Sequence, residues 1–311
     1  MLPDAIAEHW DVLESHLAAA NPALARSLAS EVDPSRTRYD RRTRANFSQE
    51  WQHHELGDKT WGMDLDFRVK TYFLDSIRIP QEELAGKVML DAGCGNGSQS
   101  VAYTEFGLEV VALDLSSGIE HGQAFRHHRP KARPDKVHFV QGDLQNPPLR
   151  PSTFDIIHSA GVLHHTPHTY TTFRRLCPLL RPSSTFYVWL YRYEPVVTPL
   201  VNALREVTTR LPQPVFAEVA RRMSGTFSLF CSTLDRLGIR EYPPLTRREA
   251  TLALHDIFGA PYAHYHSFDE VAQWLEEEGF DEIWPCNETR RGFGICGRRT
   301  ASLDQSSQNS G

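Results

Sequence analysis

Residues 88–97, Val-Met-Leu-Asp-Ala-Gly-Cys-Gly-Asn-Gly, constrain the fold more than any other stretch of the chain. Val88, Met89 and Leu90 suit a short buried strand, which ends in an acid, Asp91, and then a bend with glycine at 93, 95 and 97. Such a strand-to-helix bend has no Cβ where a ligand must approach the backbone, and its amides face the start of the next helix. The next apolar run, Val110-Val-Ala-Leu113, ends in a second acid, Asp114. An acid about 20 residues after a glycine bend is where a nucleotide-binding half-sheet places the carboxylate that takes a ribose hydroxyl. Together these features predict an adenosine-containing cofactor lying across the strand ends.

The glycine spacing narrows the choice of cofactor. A dinucleotide fingerprint reads Gly-x-Gly-x-x-Gly; here the order is Gly-x-Gly-x-Gly behind an acid, which repels a pyrophosphate and suits a cationic amino group. The segment Leu90–Gly97 resembles the first motif of class I S-adenosylmethionine-dependent methyltransferases. Asp114, in Ala-Leu-Asp-Leu-Ser, resembles that family's ribose-binding acid, and Asp143, in Val-Gln-Gly-Asp-Leu, its adenine-side acid. Phe154-Asp-Ile-Ile-His-Ser-Ala-Gly-Val-Leu-His-His-Thr-Pro167 resembles the fourth-strand motif of the small-molecule branch (types 11 and 25), which includes the ubiquinone- and menaquinone-pathway enzymes.

The resemblance implies an α/β fold: a doubly wound, seven-stranded, mostly parallel sheet with one reversed strand. It implies S-adenosyl-L-methionine as cofactor, met by Asp91, Gly93, Cys94, Gly95, Asn96, Gly97, Asp114, Leu115, Asp143, Leu144, Ser159 and Ala160. In that reading Asp91 acts toward the methionine amino group, partly through water. Asp114 takes the ribose hydroxyls, and Leu144 covers the adenine ring. Blander readings stand beside these: turn glycines, Asp91 as a helix cap, Asp143 as a turn aspartate.

At 311 residues the chain can bury one large domain with additions. A net charge of −6 lacks the basic excess of a protein that neutralises many phosphates, which argues against a nucleic-acid substrate. The five cysteines have no paired spacing, so neither a zinc site nor a disulfide framework is expected. No basic-then-apolar leader and no run of membrane-spanning length is visible, so the expectation is a cytoplasmic protein without stable membrane insertion.

Along the chain, residues 1–80 read as an N-terminal helical and aromatic lid segment, with a helix within 1–30 and a solvated basic connection over 34–46. The aromatics Trp51, Trp61, Phe67, Tyr72 and Phe73 fit hydrophobic anchors or a cover over the sulfonium. Residues 81–300 read as the cofactor-binding domain. Its strands are expected near 88–92, 109–114, 137–142, 154–159 and 185–191, its helices near 97–106, 117–129 and 168–180. A capped helix near 267–278 and a closing hairpin at 281–297 follow. Residues 195–262 exceed what this core needs and predict a helical insertion, with helices near 199–211, 214–237 and 246–258. Its arginines beside apolar faces fit an amphipathic cover or a homodimer face better than a membrane-surface contact. Residues 301–311 are expected to be a disordered tail.

His164 and His165 follow the fourth strand, where cofactor and substrate meet, and one of them is a candidate general base. With no carboxylate beside them in the sequence, a metal site there is not expected. Asn146-Pro-Pro-Leu149 precedes the fourth strand and lacks the aromatic residue of amino-directed methyltransferases, so it reads as a loop. The expectation is methyl transfer to a small-molecule acceptor through an O, N or C nucleophile. RNA or protein methylation and a non-catalytic S-adenosylmethionine-binding protein are the alternatives.

Overall fold

Strand β1 (Val88–Ala92) lies at the centre of a seven-stranded sheet of order β3-β2-β1-β4-β5-β7-β6 in the computed structural model, which describes residues 34–52, 59–125, 127, 129–238 and 244–300. The helix expected within 1–30 and the tail expected at 301–311 lie outside the described residues. Strands β2 (Glu109–Asp114), β3 (Val137–Gln141), β4 (Phe154–Ala160) and β5 (Leu180–Tyr191) run parallel to β1. Strand β7 (Gly292–Arg298) is antiparallel to both β5 and β6 (Glu282–Glu288) and is the reversed strand. The sheet is therefore the doubly wound, mostly parallel one that the motifs implied.

Alternation along the central strands splits the core in two. Leu90, Leu113, Ile157, Phe186 and Val188 point to one face, covered by α5 (Thr169–Leu176) and α9 (Phe268–Glu277). Met89, Val110, Ala112 and Ile156 point to the other, against Tyr103 of α3 (Ser98–Tyr103) and Phe73 and Ile77 of the segment that begins with α2 (Leu65–Val69). A strand buried on both faces needs this unbroken apolar run. After β1 the chain turns to β2 and α4 (Ile119–Phe125), then β3, and crosses back to β4 on the far side of β1. The direction of winding reverses there, and the crevice at the carboxyl ends of β1 and β4 is where such sheets take ligands.

The segment after β5 forms α6 (Val197–Thr208), α7 (Gln213–Arg236) and α8 (Arg247–Leu254). Thr246 and Glu249 cap α8 reciprocally, as Ser267 and Glu270 cap α9. Cys231, Leu245, Ala250 and Ala253 pack inward, whereas Val197, Leu200, Leu204 and Val207 of α6 form an exposed apolar stripe. Among the described residues no helix is long and apolar enough to cross a membrane.

The expected solvated connection at 34–46 is instead part of a helix, α1 (Pro34–Gln52). Two compact units divide within it: Arg42–Gly311 forms the larger, and the first turns before Arg42 belong to the other. From Arg42 onward α1 buries Thr43, Asn46 and Glu50, a polar face at helical spacing. Asn46 Nδ2 donates to the His255 carbonyl at 3.1 Å, and its Oδ1 lies 3.0 Å from His255 Nδ1 and accepts from Gln213 Nε2 at 3.1 Å. Its docking face mixes these polar residues with Phe47 and Trp51, so no continuous apolar stripe announces the helix.

Candidate active site

The bend after β1 is held by its own amides. Gly93 and Cys94 N–H both donate to the Leu113 carbonyl, at 2.8 and 3.1 Å, and Gly97 N–H donates to Cys94 O at 2.9 Å. Asn96 Oδ1 accepts the Ser98 amide at 3.1 Å where α3 begins. Gly97 has φ of +70°, and a Cβ there would overlap the Phe139 ring. Gly95 has φ of +58°, and a Cβ would stand 2.6 Å from the Trp51 indole, which lies across the bend and also against Gly118. Only glycine fits both positions.

Asp114 ends β2 beside this bend. Its Oδ2 accepts the Gly95 amide at 2.8 Å, and its Oδ1 accepts the Ser116 amide and hydroxyl at 2.8 and 2.6 Å. Burial pushes its carboxyl up from the ordinary range despite these donors. A carboxylate offers about four acceptor positions, so it retains capacity for a ligand hydroxyl. The neighbouring Leu115 carbonyl accepts Gln141 Nε2 at 3.2 Å.

Asp91 lies deeper. Its Oδ2 accepts the Ser100 hydroxyl at 2.6 Å, and Oδ1 lies 3.9 Å from Nδ1 of the buried His158. His158 in turn stacks on Tyr187, with centroids 4.7 Å apart, and its Nε2 donates to the Tyr72 carbonyl at 3.1 Å. Asp143 lies in the turn after β3, its Oδ1 accepting the Gln145 amide at 2.8 Å, with Leu144 buried in the core. Ser159 Oγ donates to Ala92 O at 2.9 Å and so ties the end of β4 to β1, and the partly buried Ala160 follows it. Asn146–Leu149 lies in the loop between β3 and β4, where Asn146 Oδ1 accepts Arg175 Nη1 at 2.9 Å.

Both candidate histidines are buried in the turn after β4. His164 stacks on Tyr191 with centroids 3.9 Å apart, and neither of its nitrogens has a hydrogen-bond partner. Desolvation, and then the neighbouring His165, hold it well below the ordinary histidine range, so its ring is neutral. His165 Nδ1 lies 2.8 Å from the Tyr262 carbonyl, and Nε2 lies 3.1 Å from Asp256 Oδ1. The Tyr191 hydroxyl donates to the other oxygen of Asp256. Phe47 of α1 packs on His165 at 5.3 Å. Asp256, Tyr191, Glu50 and His158 were not singled out by motif; Glu50 and Asp256 come together only because α1 and the helical insertion both dock over the ends of the strands.

The chemistry of these groups fits a cationic nucleoside. Asp91, Asp114, Glu50 and Asp256 are acids; of the buried cations, Arg205 is spent on the Ile257 carbonyl, Asn202 and the Tyr265 hydroxyl, and Arg68, whose charge reaches Asp91, donates to Gln99. Among the described residues no group of three or more His, Cys, Asp or Glu side chains could hold a metal ion.

The fold is a doubly wound α/β sheet whose winding reverses between β1 and β4, the place where such sheets take nucleotide ligands. Residues 90–188 match the methyltransferase domain family. A sterol 24-C-methyltransferase of Gibberella zeae is 29% identical over 108 residues, covering 34% of this chain and 28% of that enzyme. A ubiquinone biosynthesis O-methyltransferase of Albidiferax ferrireducens is 22% identical over 205 residues, covering 62% and 80%. The chain thus spans a minor part of one relative's length and most of the other's. A solved phosphoethanolamine N-methyltransferase 2 of Haemonchus contortus, in complex with S-adenosyl-L-methionine, shares the fold with a TM-score of 0.53 at 12% identity, over 87% of this chain and 61% of that one. Residues 90–188 thus carry a methyltransferase domain on a class I fold, and the match supports S-adenosyl-L-methionine as the cofactor.

Proposed function

We propose that the protein transfers the methyl group of S-adenosylmethionine to a small-molecule acceptor. One observation carries the reading: the strand ends are covered by the chain itself, with Trp51 laid on Gly95 and Phe47 on His165. A site enclosed in this way suits a compact acceptor better than a folded RNA or protein.

The cofactor, when bound, supplies an electrophilic methyl on a positive sulfur; the rest of the work is positioning. Asp114 and the 93–97 bend would hold the nucleoside and methionine ends, and Ser159 and Ala160 would line the strand-end side. Trp51 would exclude water and present an aromatic face to the cation. Tyr191, His164, His165 and Asp256 would form the acceptor-side wall, with aromatic rings to orient a planar or apolar acceptor. Aromatic acceptors agree with the quinone pathway in which the Albidiferax relative is named.

Transfer of labelled methyl from S-adenosylmethionine is the test. Label should enter phenolic, quinol and other small hydroxylated acceptors and leave RNA and protein unlabelled. Label entering RNA or protein alone overturns the proposal.

A further inference from the structure

Between the cofactor bend and the acceptor-side wall stands an acid that the mechanism above does not use. Glu50 is 5% exposed, and its Oε2 has no hydrogen-bond partner. Its neighbours on α1 fix its place. Trp51 lies on Gly95 and Gly118, Ser48 Oγ accepts the Ser117 amide at 3.1 Å, and Phe47 packs on His165. Glu50 is thus buried on a helix whose neighbouring residues reach both the cofactor bend and the turn after β4, near enough to Asp114 and to Asp256 to feel both charges. Desolvation, then the charges of Asp256 and Asp114, push it well above the usual glutamate range. His165 and Tyr191 both turn to the Asp256 carboxylate, His255 is bonded to Asn46 on α1, and the Arg205 guanidinium, whose charge reaches Tyr191, is held by the Ile257 carbonyl, Asn202 and Tyr265. Buried like-charged carboxyls cannot all ionise unless a cation joins them.

Resting on the methyltransferase reading, we propose that Glu50 is a proton-carrying carboxyl matched to the charge on the cofactor sulfur. In the free protein it is neutral. It gives its proton to solvent when the sulfonium enters, and it takes a proton back when the acceptor is methylated. The balance closes. The acceptor's X–H bond breaks as its electron pair forms the new X–CH₃ bond, the electron pair of the S–CH₃ bond stays on sulfur, and the freed proton goes to the Glu50 carboxylate. Sulfonium with carboxylate becomes neutral sulfide with carboxylic acid, so the buried site keeps one charge state through transfer. Glu50 then no longer holds the product electrostatically.

Titration calorimetry of the full chain tests this with S-adenosylmethionine and S-adenosylhomocysteine, each in two buffers of different ionisation enthalpy, below the titration range of the amino group both ligands share. The methyl donor should release about one proton more on binding than the product does. Glu50→Gln should bind both ligands with that difference gone. Equal proton counts for the two ligands in the wild type overturn the proposal, as does a difference that survives in Glu50→Gln. Absence of heat with either ligand instead removes the methyltransferase reading itself. The wild-type comparison needs no variant, so it decides the matter even if Glu50→Gln does not fold.

Discussion

His165 Nε2 lies 3.1 Å from Asp256 Oδ1, while Nδ1 on the opposite side of the ring lies 2.8 Å from the Tyr262 carbonyl. A carbonyl only accepts, so Nδ1 carries a hydrogen, and Nε2 meets a carboxylate that also takes the Tyr191 hydroxyl. Nδ1 is hydrogen-bonded, Nε2 stands beside the carboxylate without a hydrogen bond to it, and the imidazole ties the turn after β4 to the insertion through Nδ1. His165→Ala should therefore lower stability by about 1–3 kcal/mol, the cost of leaving buried polar groups unmet. It should raise the acceptor KM more than it lowers kcat. Urea unfolding and steady-state kinetics measure both. A loss of kcat with stability and KM unchanged would return His165 to the role of general base.

Gly97→Ala isolates the backbone requirement of the bend. The new methyl meets the Phe139 ring, and alanine must adopt a φ of +70°. Left-handed strain and overpacking together amount to about 2–4 kcal/mol. In the proposed function the bend also holds the cofactor, so cofactor affinity should fall with stability. Adding Phe139→Ala should relieve the overlap and leave the strain, restoring part of the melting temperature. Full restoration would mean that the dihedral angle matters little at this position.

How much of this was legible in the sequence depended on what each element buries. Strand β1 and strand β2 bury apolar residues and end in acids, and α9 carries its capping pair three residues apart, so local pattern located them. Helix α1 buries Thr43 and Asn46, which in sequence belong to a solvated stretch, and Glu50, a lone acid among aromatics. Asp256 lies in the wide helical turn after α8, with no motif around it, and becomes a partner of Tyr191 and His165 only through the docking of the insertion. Glycine bends and strand-end acids are written locally. Polar contacts between distant segments are not.

The raised Glu50 carboxyl has a consequence for stability that does not depend on any ligand. A group whose folded-state pKa lies above its unfolded value adds stability that is fully present below the unfolded pKa and is lost as pH rises through the folded one. With desolvation and the charges of Asp256 and Asp114 raising Glu50, the unliganded protein should lose stability as pH climbs from the ordinary glutamate range toward neutrality. Glu50→Gln cannot ionise and should be less sensitive over that window. Its melting temperature should exceed the wild type's at neutral pH, and the gain should shrink in acid. Parallel curves for the two proteins would show that Glu50 does not titrate between them.

Asp91 and Asp114 close neighbouring strands, yet their surroundings differ enough to separate their roles by experiment. Asp91 accepts the Ser100 hydroxyl beneath the bend and faces His158 at 3.9 Å. Asp114 faces the bend itself, through the Gly95 amide and Ser116. Asp114→Asn keeps the shape but replaces one carboxylate oxygen with a donor that opposes those amides and any ribose hydroxyl. A charge-assisted hydrogen bond is worth about 1.5–3 kcal/mol, so S-adenosylmethionine affinity should drop about 10- to 100-fold. Asp91→Asn should act mainly through the buried contacts with Ser100 and His158, lowering the melting temperature while affinity changes less. Calorimetric titration of both variants beside their thermal unfolding tests the split. If Asp91→Asn weakens the cofactor as strongly as Asp114→Asn and leaves unfolding unchanged, Asp91 reaches the ligand and its buried contacts are secondary.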